Sequence, residues 1–266
     1  MPDFSTPAIM LRRIPYGDHA RILTLLTPDH GKISVFARSA RKDCRRFSGA
    51  LEPFRILHAV IGDGRGRLAV LKEARTSDPL EALRSDFRSA ALASYWCELV
   101  LSGTEEGAPQ PDGYRLLHGA LTALDRRHMA PAALNILFQL HFARLSGFFP
   151  ALTRCRSCGV ALDAAPDAVA VDIASGAMVC GRCFSGYGTH PLHSLSKGAM
   201  KALLWLAAAD IQTAGRIRLN PGTRDACTRF LEAFIPYHLG RRPRSLDFLT
   251  HIRSRKKEEG RICHVG

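Results

Sequence analysis

The chain has 266 residues, 46% of them hydrophobic, and 37 Lys plus Arg against 24 Asp plus Glu give a formal charge of +13. That length sustains one large or two to three small cores, and the longest strongly apolar stretch, 202–209, is too short to span a bilayer, which argues against a membrane protein. The N-terminus lacks the basic and then apolar pattern of a signal peptide, so the expected location is the cytoplasm, where Cys44, Cys97, Cys227 and Cys263 stay reduced.

The positive excess is uneven. Residues 1–76 hold 14 basic and 7 acidic side chains, residues 77–215 hold 11 and 12, and residues 216–266 hold 12 and 5. Two basic regions thus flank a neutral centre. Such fields draw polyanions; nucleic acid is the usual partner, and a ribosomal or anionic membrane surface would answer the same physics.

The first segment alternates short apolar runs with turn residues and predicts five strands: Ala8 to Ile14, Ala20 to Thr27, Lys32 to Arg38, Pro53 to Ile61 and Arg67 to Ala74. Gly31 closes a turn where a left-handed backbone is cheapest, and Gly62 to Gly66 reads as a hairpin. Five short strands without a long intervening helix indicate a small closed barrel of the OB type, with an SH3-like barrel as the competitor. Between the third and fourth strands, Arg38, Arg41, Lys42, Arg45 and Arg46 place five cations in nine positions. This loop is the first DNA-contact candidate, with Phe36 or Phe47 as a stacking platform for a base. Its alternative is a solvated basic loop with core phenylalanines. Arg12, Arg13, Arg21 and Lys32 can join from the strands.

From Ser77 the apolar period becomes three and four residues, through Leu80, Leu83, Phe87, Ala91, Tyr95 and Leu99, which predicts a helix opened by Asp78-Pro79 and stopped near Gly103. Further helices are expected at 113–127, from Pro131 to about Ser146, from a cap at Ser194 or Ser196 to Ala209, from Asn220-Pro221 to His238, and from Pro243 through Ile252. Pro236 should bend or shorten the one that contains it, and a charged, frayed tail should follow Ser254. His141, inside an apolar helical stretch, reads as a packing histidine. Arg241, Arg242 and Arg244 form a second basic group. It either extends a nucleic-acid groove or stabilises a helix end.

Between these helices lie Cys155-Arg-Ser-Cys158 and, after 21 residues, Cys180-Gly-Arg-Cys183. Two C-x2-C knuckles at this spacing supply the tetrahedral four-sulfur shell of a structural zinc ion, with Gly159 and Gly181 easing the backbone turns. Two redox dithiols or unrelated thiols are the competing readings. Ala168 to Ile173 and Ala177 to Cys180 around Gly176 predict the strands of a zinc ribbon, and His190 and His193 just beyond are alternative ligands. A closed four-sulfur shell leaves no position for a reactive water. No nucleophile-and-base motif, P-loop or metal-carboxylate cluster is visible, so no catalytic residue is assigned.

Several stretches, in order, resemble the RecO family of bacterial recombination mediators: Met10 to Asp18, Leu23 to Thr27, His30-Gly-Lys32, Phe36 to Arg41, Gly49 to Phe54, Phe138-Gln-Leu140, Leu145 to Phe148 with Pro150, Cys155 to Gly159, Leu239-Gly240 and Arg244 to Leu249. The resemblance implies an α+β architecture: a five-stranded OB barrel over 1–76, then an α-helical domain over 77–254 with an inserted zinc module at 153–190 and a charged tail at 255–266. It implies no catalytic site and one structural zinc. Its implied partners are single- and double-stranded DNA, RecR, the acidic C-terminal tail of single-strand-binding protein, and in some settings RecF, so that RecA replaces single-strand-binding protein on gaps; nucleoid association follows. Carried to this chain, Arg38, Arg41 and Lys42 fall in the family's basic OB loop. Ser39 stands where many members have glycine, and the helix around Asn135 and Ile136 lacks the arginines of many relatives. The rival classes are a zinc-ribbon nucleic-acid-modifying enzyme and a ribosomal or transcriptional binding module.

Overall fold

The computed structural model describes residues 3–38, 47, 50–64, 68–187 and 192–262, with 255–262 described in backbone alone. The chain divides into two compact units, Met1–Arg126 with Asp247–Gly266, and Arg127–Leu246.

In the first unit five strands, β1 (Phe4–Tyr16), β2 (Ala20–Thr27), β3 (Gly31–Ala37), β4 (Ile56–Gly62) and β5 (Ala69–Asp78), close into a barrel in the order β1-β2-β3-β5-β4. All pairings are antiparallel except β3 with β5. That order, with β1 paired to both β2 and β4, is the OB arrangement, and it settles the choice against an SH3-like barrel. Alternation supplies the core: Ala8, Met10, Leu23, Leu25, Val35, Ala37, Leu57, Ala59, Ile61 and Leu71 all point inward and are buried. Phe47, with Ala50 and Leu51, plugs the same core at 2% exposure, which removes it as a stacking platform. β1 is longer at both ends than alternation alone suggested, because Pro7 and Pro15 obscure a strand whose ladders to β4 and β2 nevertheless continue past them.

Gly31 opens β3 at φ 61°, as the turn required, and a second reason emerges. A Cβ there would collide with the Ala108 carbonyl oxygen, so the segment around Ala108 passes directly over this glycine. Gly107 N–H donates to Lys32 O at 2.9 Å and Gln110 N–H to Pro28 O at 3.0 Å, fastening that segment to the barrel.

The helix expected from Asp78 is two helices, α1 (Glu81–Ser85) and α2 (Phe87–Gly103). Asp78 instead ends β5 and its carboxylate accepts from Leu80 N–H at 3.1 Å. Asp86 breaks the pattern: its extended backbone ends α1, and its carboxylate caps α2 by accepting from Ser89 N–H and Oγ–H at 3.1 and 2.5 Å. The apolar period runs through this break unaltered, so the capping chemistry alone marks it. α3 (Pro111–Asp125) follows, and Asp125 accepts from Leu83 N–H at 2.8 Å, satisfying a donor in the first turn of α1.

The second unit is built on α4 (Pro131–Leu145), buried on nearly every side from Ala133 to Ala143. Its C-terminus is a Schellman turn: Gly147, at φ 80°, donates to Arg144 O, and Phe148 N–H donates to Ala143 O at 3.0 Å. The turn delivers Phe148 into a run of aromatic rings. Phe138, Phe142, Phe148, Phe234 and Phe230 succeed one another at centroid distances of 5.3 to 6.4 Å. The rings link α4 to α7 (Pro221–His238), and α5 (Lys197–Ala208) and α6 (Ile211–Ala214) complete the helical layer. Ser196, not Ser194, caps α5, accepting from Ala199 N–H at 3.1 Å. Pro236 does not shorten α7, which runs two residues past it to His238; so near the end, few residues remain for the ring and the missing N–H to displace. The last helix, α8 (Arg244–Ile262), runs past its expected end at Ile252 through the Lys-Lys-Glu-Glu stretch, whose residues favour helix.

Candidate metal centre and nucleic-acid interface

The cysteine module sits on a three-stranded sheet, β7 (Ala177–Cys180), β6 (Val169–Asp172) and β8 (Leu192–Leu195), with β6 in the middle. The β6–β7 hairpin turns at Gly176, φ 67°, where the Phe234 ring lies 3.1 Å from the position of a Cβ. β8 is an addition to the expected ribbon. His193, considered as a ligand, lies on β8 opposite Val171 with its ring 5.7 Å from Phe230, packed rather than ligating. His190 falls outside the described residues.

The four cysteines converge. Their Sγ atoms all lie within 4.8 Å of one another. The Cys158–Cys180 and Cys180–Cys183 separations are 3.6 and 3.8 Å, close to the edge of about 3.8 Å that Zn–S bonds of about 2.3 Å impose on a tetrahedron. Local hydrogen bonds shape each knuckle. Gly159, at φ 74°, donates to Cys155 O at 2.9 Å, while Cys155 N–H donates to Val160 O and Arg156 N–H to Met178 O, both at 2.8 Å. On the other side Gly181 lies against Ala168, whose Cβ and carbonyl oxygen would both sit 3.0 Å from an added Cβ, and it donates to that carbonyl at 2.8 Å. Cys180 ends β7, and a 3-10 segment (Gly181–Tyr187) carries Cys183 back to it.

The thiols are electrostatically unequal. Burial disfavours the charged form of Cys155, yet backbone N–H groups of Cys158, Cys180 and Ser157 pull it down to about 6. Cys183 is pushed up to about 12, chiefly by its hydrogen bond to Cys158 and then by burial, with bonds to Cys180 and Cys155 and, least, repulsion from a Cys155 thiolate adding to these. A dication at the centre removes that repulsion, so the donor set fits a four-thiolate metal ion. Cys155 and Cys180 are buried and Cys158 is exposed, so one edge of the cluster faces solvent.

The basic residues fall into distinct environments. Arg12 is exposed on β1, and Arg38 is exposed one residue past β3. Arg13 instead donates to Leu51 O at 3.0 Å and pairs with Glu52 at 3.3 Å, and Arg21 reaches the same Leu51 oxygen at 3.4 Å. Lys32 Nζ donates to Leu101 O and Thr104 O at 2.9 and 2.5 Å. Arg41, Lys42, Arg45 and Arg46 lie outside the described residues. Arg241, Arg242 and Arg244 are exposed at and before the start of α8. His141 is half-buried, and its Nε2–H donates to Ala209 O at 3.0 Å, a packing role. Sequence reasoning overlooked Tyr16, which is 58% exposed at the end of β1 with its ring edge-on to Phe36 at 5.5 Å. The signal was the alternation Arg12, Ile14, Tyr16, hidden by Pro15.

The chain matches two family models that together span nearly all of it, Recombination protein O N terminal over residues 1–80 and Recombination protein O C terminal over residues 84–247. It is 40% identical over 258 residues to the DNA repair protein RecO of Desulfosudis oleivorans, covering 95% of this chain and 99% of that protein. The DNA repair protein RecO of Desulfatibacillum aliphaticivorans is 39% identical over 258 residues, covering 96% and 99%. That of Myxococcus xanthus is 34% identical over 252 residues, covering 95% and 99%. Among the described residues no helix is long and apolar enough to cross a membrane.

Proposed function

The chain belongs to the RecO family of DNA repair proteins, and from that premise we propose that it is a non-enzymatic recombination mediator. It binds single- and double-stranded DNA, anneals complementary strands and, with RecR and alone or beside RecF, helps RecA replace single-strand-binding protein, whose acidic tail it engages. The observation that carries this reading is similarity along the whole chain at up to 40% identity, with relatives named as DNA repair proteins. It acts in the cytoplasm at the nucleoid, where thiols stay reduced.

The physics of annealing suits a basic barrel. Two complementary strands repel through their phosphates, and protein cations that neutralise both release condensed counterions and let the bases meet. The proposed contacts are Arg38, Arg41, Lys42, Arg45 and Arg46 of the loop, Arg12 on β1, and Arg241, Arg242 and Arg244. Arg13 and Lys32, already holding backbone carbonyls, contribute field and shape more than direct contact. The metal is a structural zinc held by Cys155, Cys158, Cys180 and Cys183. When bound it supplies a closed cross-link between the knuckles, with no open position for chemistry.

The deciding experiment is annealing of complementary strands coated with single-strand-binding protein, with and without RecR, in buffer free of nucleotide and catalytic metal. Annealing that RecR modulates supports the mediator. Covalent change in either strand would transfer the reading to a nucleic-acid-modifying enzyme.

A further inference from the structure

The outer face of β1, β2 and β3 carries three aligned rows of side chains. The register sets Ile14 opposite Ile22, Ile22 opposite Phe36, and Phe36 beside Val70 of β5. Two residues along, Tyr16 faces Ala20; two residues back, Arg12 faces Thr24 and Thr24 faces Ser34. Leu23, Leu25, Val35 and Ala37, which alternate with these residues, are buried in the barrel core. The rows therefore point outward.

Their composition is unusual for a solvated sheet face. Tyr16 is 58% and Ile14 37% exposed, and Phe36 meets the Tyr16 ring at 90°, bracing it against rotation. No Asp or Glu occupies these rows; the exposed Arg12 stands in one of them, and the exposed Arg38 lies just past the end of β3 beside them. Asp18, in the adjoining turn, is itself engaged by another group. An apolar strip with a braced, exposed ring and flanking guanidinium groups matches one occupant: a strand offering flat π faces and phosphates together. Duplex DNA hides its base faces inside the stack, so the strip can use only unpaired bases.

We propose that Tyr16, braced by Phe36, is the base-stacking platform of the barrel for single-stranded nucleic acid, with Ile14 and Ile22 as the apolar floor beside it. The proposal deepens the mediator function and rests on it. The face offers rings and methyl groups, not hydrogen-bonding edges, so binding here is tolerant of sequence. It also separates two kinds of contact: the loop arginines hold phosphates of either DNA form, whereas Tyr16 selects the unpaired form.

The test uses the full-length, metal-loaded protein titrated with an oligodeoxythymidylate and with a duplex of equal length. Tyr16→Ala should weaken single-strand binding about fivefold or more, the scale of removing one base stack. Duplex affinity and the salt slope should stay unchanged, and Tyr16→Phe should restore binding. In Tyr16→Trp the introduced indole should be quenched by the oligonucleotide beyond the wild-type response. Because the ring is exposed, its removal leaves the barrel core filled, and an unchanged melting curve checks this. Single-strand affinity within twofold of wild type, or an equal loss on duplex, would overturn the platform while the mediator reading stands. Altered self-association in sedimentation with unchanged DNA affinity would assign the rows to a second copy of the chain and overturn it too. Failure of the wild-type protein to bind single strands would bring down both.

Discussion

Lys32 Nζ donates to the Leu101 carbonyl oxygen at 2.9 Å, across 69 positions of sequence, and also to Thr104 O at the C-terminal end of α2. A strand lysine thus satisfies carbonyls that the helix leaves unpaired, at the negative end of its dipole. Lys32→Met should lower stability by about 1–2 kcal/mol, the cost of charged hydrogen bonds at a part-buried site. Its single-strand salt slope should match that of wild type. Urea unfolding and a salt titration of binding measure the two; a slope reduced with stability intact would make Lys32 a phosphate contact instead.

Gly31→Ala should be more damaging than the size of a methyl group suggests. The left-handed backbone and the Ala108 carbonyl both oppose the new Cβ, so the segment 107–110 must lift from the barrel. A loss of about 2–4 kcal/mol is expected in denaturant unfolding, within the range of strained or overpacked substitutions. A loss below about 0.5 kcal/mol, the scale of an ordinary surface substitution, would mean the segment moves freely.

Elemental analysis should find one zinc per chain. Cys155→Ser or Cys180→Ser, at the two buried ligand positions, should abolish stoichiometric metal and unfold the β6–β7–β8 module. Metal-linked folding in small zinc modules is worth on the order of 10 kcal/mol. Calorimetry with and without a strong chelator reads the effect, and a metal-free protein with an unchanged melting profile would refute the structural role.

Exchanging Arg38, Arg41 and Lys42 together for glutamate should remove most single-strand affinity without lowering the melting temperature. For every phosphate the variant no longer neutralises, the magnitude of the log–log salt slope should fall by about 0.7. Near-normal binding at moderate salt would sink the loop assignment.

Acid should destabilise the fold through its half-buried imidazoles. Burial holds His118, His141 and His193 below the usual histidine value; for His141 it outweighs carbonyl bonds from Ala209 and Leu206 that favour the charged form. The folded protein binds these protons less readily than the unfolded chain. Stability should therefore be flat above the unfolded value of about 6.5 and fall as pH drops below it toward the folded values. His141→Gln, which keeps a donor for Ala209, should show a shallower fall in urea midpoints between about pH 7.5 and 5.5, the window that brackets the unfolded value.

The cysteine centre was legible because each knuckle is local and its spacing limits the metals it suits; Gly159 and Gly31 adopt the left-handed backbone that their positions suggested. The barrel was legible because inward residues alternate. What escaped is nonlocal or masked. β8 is four residues long and contains Ser194, which also reads as a possible helix cap. The α1–α2 break hides under an unbroken apolar period. Arg13 and Lys32 look like surface cations until the register reveals which carbonyls they serve, and Tyr16 gains meaning only when Phe36 arrives from another strand.

The first unit contains both Met1–Arg126 and Asp247–Gly266, so the second is an insertion within it. On the ribosome, everything from Arg127 to Leu246 has been synthesised before the barrel's unit receives its last piece. The cysteine-bearing insert is free to bring its four thiols together while its host is still incomplete, and domains generally fold as units during synthesis. A stop codon after Leu246 would spare the insert and deprive the barrel's unit of the helix that begins at Arg244, including Phe248, whose ring meets Phe87 at 5.3 Å. Late truncations should therefore injure the part of the protein made first.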